Sequence, residues 1–363
     1  GDACMSEICE DVRKTVTVPI MNAGNHTPET AVKLIESGNC DFVMFGRPLI
    51  ADPHIAKKLM TNRRDEVRPC IRCNEDCIGR IIRRLTKISC SVNPVAGFEK
   101  RFIIEKTESP KKVVVVGGGP AGMEAARVAA IKGHKVSLYE KDSALGGQLK
   151  SAATPDFKSQ LREFARWQIR QLEIFGVDVY LNHEITASSP ELEDADEIIV
   201  STGATPLMPN IKGIENAIDI ITCHTQPERL KGERIIYCGG GLSACDSALE
   251  TAMEGKKVTI VEMLDEVAKD DHFINKAALI PMLQKYDVLI LTGHKVVEIA
   301  ENGVRAVTKD GNEVFIEGDT IVAAFGMAKN DKLAWEIYNK YYTKTRIIGD
   351  CNKIGKVATA VRE

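Results

Sequence analysis

The 363-residue sequence predicts an α/β chain built on parallel sheet, and three observations point there. Two apolar strands, Lys112–Val116 and Arg234–Cys238, each run into a glycine loop that opens a helix. Each loop is followed at one interval, 23 positions from its first glycine, by a glutamate ending the next apolar strand: Gly117 to Glu140 and Gly239 to Glu262. Residues 1–65 hold two further strand–helix units. An apolar fraction of 44% and a charged fraction of 27% are those of a globular chain with a full core. A net charge of −3 argues against partners held by bulk electrostatics, such as nucleic acid or a membrane surface. No apolar run approaches the roughly 20 residues of a spanning helix.

Taken in order, residues 16–21 read as a buried strand containing Pro19, followed by a turn at Ala23-Gly24-Asn25-His26. Thr27 then caps a helix with Pro28 at its first position. Residues 41–45 read as a second strand, ended by Gly46-Arg47-Pro48, and Asp52 reads as the cap of a helix starting at Pro53. If these are the last two strands of a (β/α)8 barrel, the loops at Gly24-Asn25 and Gly46-Arg47 fall where such barrels bind phosphate. Arg47 is then a phosphate ligand; without the barrel it reads as a surface ion-pair residue. The chain opens at Gly1, with its first methionine at Met5, and closes at Glu363 in a helix-like stretch, so we expect a piece of a longer protein.

Four of the 11 cysteines crowd into residues 66–110: Cys70, Cys73, Cys77 and Cys90, spaced C-x2-C-x3-C-x12-C. Thiolates so spaced can wrap a soft metal centre. Zinc sites prefer paired CxxC or Cys/His sets, and an uneven triplet plus a later cysteine suits a [4Fe–4S] cube better. The other seven cysteines are scattered in apolar surroundings, which favours a reducing cytoplasm over a disulfide scaffold.

From Lys112 the order is strand, glycine loop, helix, strand at 136–139, a long amphipathic helix at 155–175, and strands at 177–181 and Glu197–Val200. In the loop, Gly117 permits the tight turn, Gly119 lets backbone approach a pyrophosphate, and Gly122 permits close helix–strand packing. Pro120 and Ala121 then open the helix, whose N-terminus favours an anion. Glu140 stands where a ribose diol would be read. Gly147-Gln148, Thr202-Gly203 and Asp350 recur at turns in the order of a flavin site. The second loop repeats the device with Gly239, Gly241 and Ala244, and with Glu262 as the matching acid. A carboxylate there repels a 2′-phosphate and favours NADH, although an ADP-like moiety or an empty site remains open at this point. Short strands fill 288–322, and the last helix begins near Lys356.

With these residues in hand, the order Phe45-Gly46-Arg47-Pro48, Pro69-Cys70-Ile71-Arg72-Cys73-Asn74, Cys77, Cys90-Ser91-Val92-Asn93-Pro94 and Gly117-Gly118-Gly119-Pro120-Ala121-Gly122 resembles the large NADH:flavin oxidoreductases, such as 2,4-dienoyl-CoA reductase and 2-enoate reductase. The resemblance implies the end of an FMN barrel in residues 1–65 and an iron–sulfur segment at 66–110. It further implies an FAD domain at 111–209 and 331–363, with an NAD(H) domain at 210–330 inserted in it. It implies Cys70, Cys73, Cys77 and Cys90 as cluster ligands. Gly117, Gly119, Gly122, Glu140, Gln148 and Asp350 are implied as FAD contacts, Gly239, Gly241, Ala244 and Glu262 as the NADH site, and Gly46 and Arg47 as FMN phosphate contacts. Electrons are implied to pass from NADH through FAD, the cluster and FMN to an activated C=C bond of a small unsaturated substrate. The acid/base residues of that chemistry are expected upstream of residue 1. Trimethylamine dehydrogenase, a relative that passes electrons outward and uses its second nucleotide motif for ADP, is the alternative. A disulfide reductase needs a CxxC beside the flavin, and here CxxC occurs only at Cys70 and Cys73.

Overall fold

The computed structural model describes residues 2–269 and 271–363. They fall into two compact units, one ending at Arg72 and the other running from Cys73 to Glu363. Among the described residues no helix is long and apolar enough to cross a membrane.

The first unit contains α1 (Ser6–Arg13), β1 (Met21–Asn22), α2 (Pro28–Glu36), β2 (Phe42–Val43), α3 (Arg47–Ala51) and α4 (Ile55–Met60). The α2 start was legible: Thr27 accepts from the Thr30 N–H, and Thr30 answers the Thr27 N–H, a closed capping box. Three expectations need correction. The strand expected at 16–21 is only Met21–Asn22, because Val16 closes a turn on Val12 and Pro19 has no N–H to give a ladder. Residues 41–45 contribute only Phe42 and Val43 to the parallel pair. Asp52 does not cap a helix at Pro53. It ends α3, and its carboxylate takes the His54 and Arg68 N–H groups and the Lys58 ammonium.

The second unit begins with α5 (Ile78–Arg84) and then builds a nucleotide-binding sheet from β3 (Lys112–Val116), α6 (Pro120–Ile131), β4 (Lys135–Tyr139), α7 (Leu149–Ala152), α8 (Ser159–Ile174), β5 (Asp178–Tyr180) and β6 (Glu197–Val200). The helix expected over 155–175 opens with a 3₁₀ turn at Asp156–Lys158, after Pro155 in extended backbone. A short strand β7 (Ala204–Pro206) leads to β8 (Ile218–Asp219), α9 (Ile220–Thr225), β9 (Arg234–Cys238), α10 (Leu242–Met253), β10 (Lys257–Val261), α11 (Phe273–Lys285) and β11 (Leu289–Leu291). An antiparallel meander β12–β14 (His294–Ala300, Gly303–Thr308, Glu313–Glu317) precedes β15 (Thr320–Ala323). The chain returns by β16 (Met327–Lys329), paired antiparallel to β7, then closes with α12 (Lys332–Lys340), β17 (Thr345–Ile347) and α13 (Val357–Arg362).

The sheet orders are β17-β6-β3-β4-β5 and β11-β10-β9-β15-β8, parallel throughout. The second sheet is therefore set between β6 and β17 of the first, and the β7–β16 ribbon carries the chain both ways. Val113 to Val116 are all buried, as a strand covered by helices on both faces requires. On α6 the buried Ala121, Gly122, Ala126 and Ala129 keep the helix close to that sheet. Its buried Glu124 and Arg127 pair at 2.6 Å, with the guanidinium over the Trp167 ring.

Candidate functional site

At the first loop Gly117 has φ +102°, and a Cβ there would stand 2.5 Å from the Ser201 carbonyl oxygen, so only glycine makes the turn. The Glu140 carboxylate folds back under the loop: Oε2 accepts the Gly118 N–H at 2.7 Å and Oε1 the Asp142 N–H at 2.9 Å. Gly119 begins α6 in extended backbone with no side-chain cap, and the space before it is open to Gly147, 4.0 Å from an added Cβ. The helix N-terminus thus keeps free N–H groups for an anion.

The second loop repeats these contacts atom for atom. Gly239 has φ +110°, and a Cβ added there would stand 2.3 Å from the Ala324 carbonyl oxygen. Glu262 Oε2 accepts the Gly240 N–H at 2.5 Å, and Oε1 the Leu264 N–H at 2.7 Å. Gly241 starts α10 uncapped, with nothing within 4 Å of an added Cβ. The repeat runs beyond the residues the sequence singled out. A Cβ added at Gly118 would stand 2.3 Å from Leu145 Cδ2 and one at Gly240 2.7 Å from Val267 Cγ1, and the Gly146 and Ala268 N–H groups bond to the carbonyls of those glycines at 2.9 and 2.7 Å. Each pair lies at equal offset from its loop, a signal present in the sequence but carried by dissimilar residue types.

Of the remaining residues, Gly147 and Gly349 lie against the start of α6, and Gln148 and Thr202 bond elsewhere. At Gly147, φ +50°, an added Cβ would stand 2.9 Å from Gly119 Cα, and Gln148 Nε2 donates to the Ala204 carbonyl at 2.6 Å. Thr202 and Asn330 exchange hydrogen bonds at 2.7 and 3.2 Å across the two chain crossings beside Gly203. Gly349 lies against Ala121, which brings Asp350 to the same helix end. Burial pushes the Asp350 carboxyl up from its ordinary value, the Gly355 N–H opposes this, and the Glu363 charge adds to the rise. Asn330 was not foreseen, since a lone asparagine after a short strand carries no distinguishing pattern.

Burial pushes the Cys223 thiol up to about 11, and the Cys238 and Cys245 thiols up to about 12. These thiols of the second sheet stay protonated at neutral pH and are not poised for disulfide exchange.

In the cysteine segment, Cys73, Cys77 and Cys90 are half-buried. Cys73 Sγ lies 3.2 Å from Ser91 Oγ, whose neighbour Asp76 is held by Arg362 at 2.7 Å. Among the described residues no three His, Cys, Asp or Glu side chains are gathered closely enough to hold a metal ion. His272, unforeseen in the sequence, is fully buried at the start of α11, and its Nε2 has no hydrogen-bond partner. In the first unit, Arg47 Nη2 donates to Asn25 Oδ1 at 2.9 Å, and Asn25 sits at φ +61°. A Cβ added at Gly46 would meet nothing within 4 Å, whereas one added at Gly24 would stand 2.9 Å from the Met5 side chain.

The profile of the pyridine nucleotide-disulphide oxidoreductase family matches residues 111–350, the span that holds both glycine loops. The chain belongs to that family. Within it, the chain is 38% identical to an NADH oxidase of Thermoanaerobacter brockii, over 98% of this chain and 56% of the relative. It is 36% identical to a cinnamate reductase of Clostridium sporogenes, over 97% of this chain and 53% of the relative. A solved 2-naphthoyl-CoA reductase superposes with a TM-score of 0.92 at 30% identity, covering 99% of this chain and 55% of that one. These relatives support the enoate-reductase-like resemblance carried by the motifs. The chain spans about half the length of the curated relatives it matches.

Proposed function

We propose that this chain is the electron-input part of an NADH-dependent flavin and iron–sulfur oxidoreductase that reduces an activated C=C bond. The observation that carries the reading is the duplicated loop: two uncapped helix N-termini, each beside a glutamate held by two backbone N–H groups. The names of the relatives support the direction of the chemistry, an NADH oxidase and reductases of unsaturated acids or thioesters.

The first loop then holds FAD. Gly117, Gly119, Pro120, Ala121 and Gly122 receive the pyrophosphate at the start of α6, Glu140 orients a ribose diol with its remaining lone pairs, and Gly147, Gln148, Thr202, Gly203 and Asp350 line the rest. The second loop holds NADH: Gly239, Gly241 and Ala244 face its pyrophosphate, and Glu262 favours a free 2′-hydroxyl over a 2′-phosphate. FAD, when bound, accepts a hydride and can release electrons singly. Four thiols at the spacing of Cys70, Cys73, Cys77 and Cys90 suit a [4Fe–4S] cube in donor type. In residues 1–65, Met21, Phe42 and Met44 on or beside the two strands are each more than half exposed, which supports their belonging to a larger barrel. Asn25, Gly46 and Arg47, with Gly24 shaping the turn, are its FMN-phosphate residues.

The test is anaerobic titration of the flavin-loaded chain with NADH. The flavin absorbance is expected to bleach. A flavin that stays oxidised at millimolar NADH, or a second loop that takes ADP and refuses NADH, overturns the reading.

A further inference from the structure

The two nucleotide sheets fold on separate apolar cores, one around Val115, Leu138 and Leu172 and the other around Ile235, Ile260 and Leu283. Close packing within each core does not by itself set how one sheet stands against the other, so contacts that cross between them carry that information. One such place joins the end of α7 to α9 and α10. Thr154 lies just past α7, the helix whose N-cap is Gln148. Its Oγ1 stands 2.7 Å from Nδ1 of His224 on α9, a side chain only 7% exposed. The other ring nitrogen, Nε2, stands 2.5 Å from Ser247 Oγ on α10. Beside this bridge, Lys158 at the start of α8 pairs with Asp246 on α10 at 2.8 Å, with side chains 28% and 17% exposed.

The proton positions in this bridge follow from its neighbours. The Thr154 hydroxyl donates to the Ser151 carbonyl at 3.1 Å, so its oxygen is the acceptor for His224. A lone pair on Nδ1 would also face the Glu250 carboxylate, 3.5 Å away, whereas an N–H there is favoured. Nδ1 therefore carries a proton and Nε2 accepts from the Ser247 hydroxyl, so one imidazole bonds to both sheets. Each end is itself anchored. Arg162 Nη1 donates to the carbonyls of Ala153, Thr154 and Pro155, and the Ser247 carbonyl accepts from the buried Tyr237 hydroxyl at 3.3 Å.

We infer that His224, with the Lys158–Asp246 pair, is a positioning residue: this clasp holds the early turns of α10 in register with the stretch after α7, and so aligns the two nucleotides that the sheets bind for hydride transfer. The inference rests on the reading of the two loops as FAD and NADH sites. Gln148 heads the helix on one side of the clasp. On the other, Asp246 and Ser247 stand in the helix whose uncapped N-terminus is the proposed NADH seat. Hydride transfer depends steeply on alignment, and a misplacement of about 1 Å costs on the order of a hundredfold in rate.

Two substitutions test the clasp. Thr154→Val removes the acceptor at nearly constant shape, and Thr154→Ser keeps it. The first readout uses the flavin-loaded chain without oxygen: the limiting rate of flavin reduction at saturating NADH, separated from the NADH concentration that gives half that rate. The second uses the chain without nucleotides: hydrogen exchange of the α9 amides. Thr154→Val is expected to slow the limiting rate about tenfold, with half-saturating NADH and flavin content unchanged, and to speed α9 exchange. Thr154→Ser is expected to match the parent in both readouts. A Thr154→Val chain reduced at the parent rate, a loss of NADH affinity in place of rate, or a serine variant as impaired as the valine overturns the inference. A parent chain that NADH fails to reduce sinks the reading of the two loops instead. The α9 exchange then decides the clasp by itself, and exchange left unchanged by Thr154→Val overturns it.

Discussion

The two glycine loops share one backbone path but differ at the third motif position, and the difference shows how closely each helix approaches its sheet. A Cβ added at Gly122 would stand 2.0 Å from the Gly117 carbonyl oxygen and 2.5 Å from Ser201 Oγ. In the second loop the same position is Ala244, which carries its methyl group fully buried. The residue facing that turn differs in step: Ser201 bonds its hydroxyl to the Val116 and Gly117 carbonyls, whereas the corresponding Ala324 has no hydroxyl. In the first loop a serine hydroxyl and a close helix exclude a methyl group, and in the second the methyl group is part of the packing. A glycine motif therefore reports local crowding as much as ligand contact.

The largest expected effect breaks this comparison at its tightest point. Gly122→Ala forces a methyl group onto backbone that cannot retreat, so overpacking of roughly 1–3 kcal/mol or more and loss of flavin are expected. Thermal unfolding and flavin stoichiometry check this, and a variant as stable and as yellow as the parent would refute the crowding. The converse, Ala244→Gly, is expected to cost only about 1 kcal/mol, chiefly helix propensity, with flavin unchanged.

Next come the two glutamates. Glu140→Gln or Glu262→Gln turns an amide N–H toward a backbone N–H that needs an acceptor, at about 1–3 kcal/mol. That corresponds to roughly fivefold to 150-fold weaker nucleotide binding. Glu140→Gln is expected to lose FAD. Glu262→Gln is expected to keep FAD while needing more NADH to bleach it. If both variants lose the same ligand, the two loops do not serve separate nucleotides.

The smallest effect uses Asp350, a feature of the first site alone. Its carboxyl is raised chiefly by burial, so the folded state holds its proton more tightly than the unfolded chain does. The group therefore costs no stability below the unfolded-state value, and an increasing amount as pH rises through and above it. Asp350→Asn without flavin is expected to gain stability over the parent between about pH 4 and pH 7, and to match it in more acid solution. A denaturation series across that range checks the sign.

The sequence was informative where local chemistry and tertiary environment agree. Lys112–Val116 and Arg234–Cys238 are apolar throughout because both faces of a parallel strand are covered, so their bounds matched the structure. Thr27-Pro28 announced α2 through capping that needs only neighbouring residues. Residues 16–21 and 41–45 misled, because apolar content reads as strand while Pro19 and the following turns leave two-residue ladders. Asp52-Pro53 resembled a helix start, but Asp52 was recruited by Lys58 and Arg68.

By itself, then, the sequence determined the two nucleotide loops, their matched acids and the spacing of the cysteines. These are set by backbone conformation and covalent order within some two dozen residues. Only the tertiary structure decided that Asn330 closes the crossing beside Thr202, that Leu145 and Val267 are counterparts, and that His272 is buried at the start of α11 with its Nε2 unpartnered. Those relations join residues far apart in the chain. Which donor meets which acceptor across a core depends on how elements pack, and no local pattern encodes it.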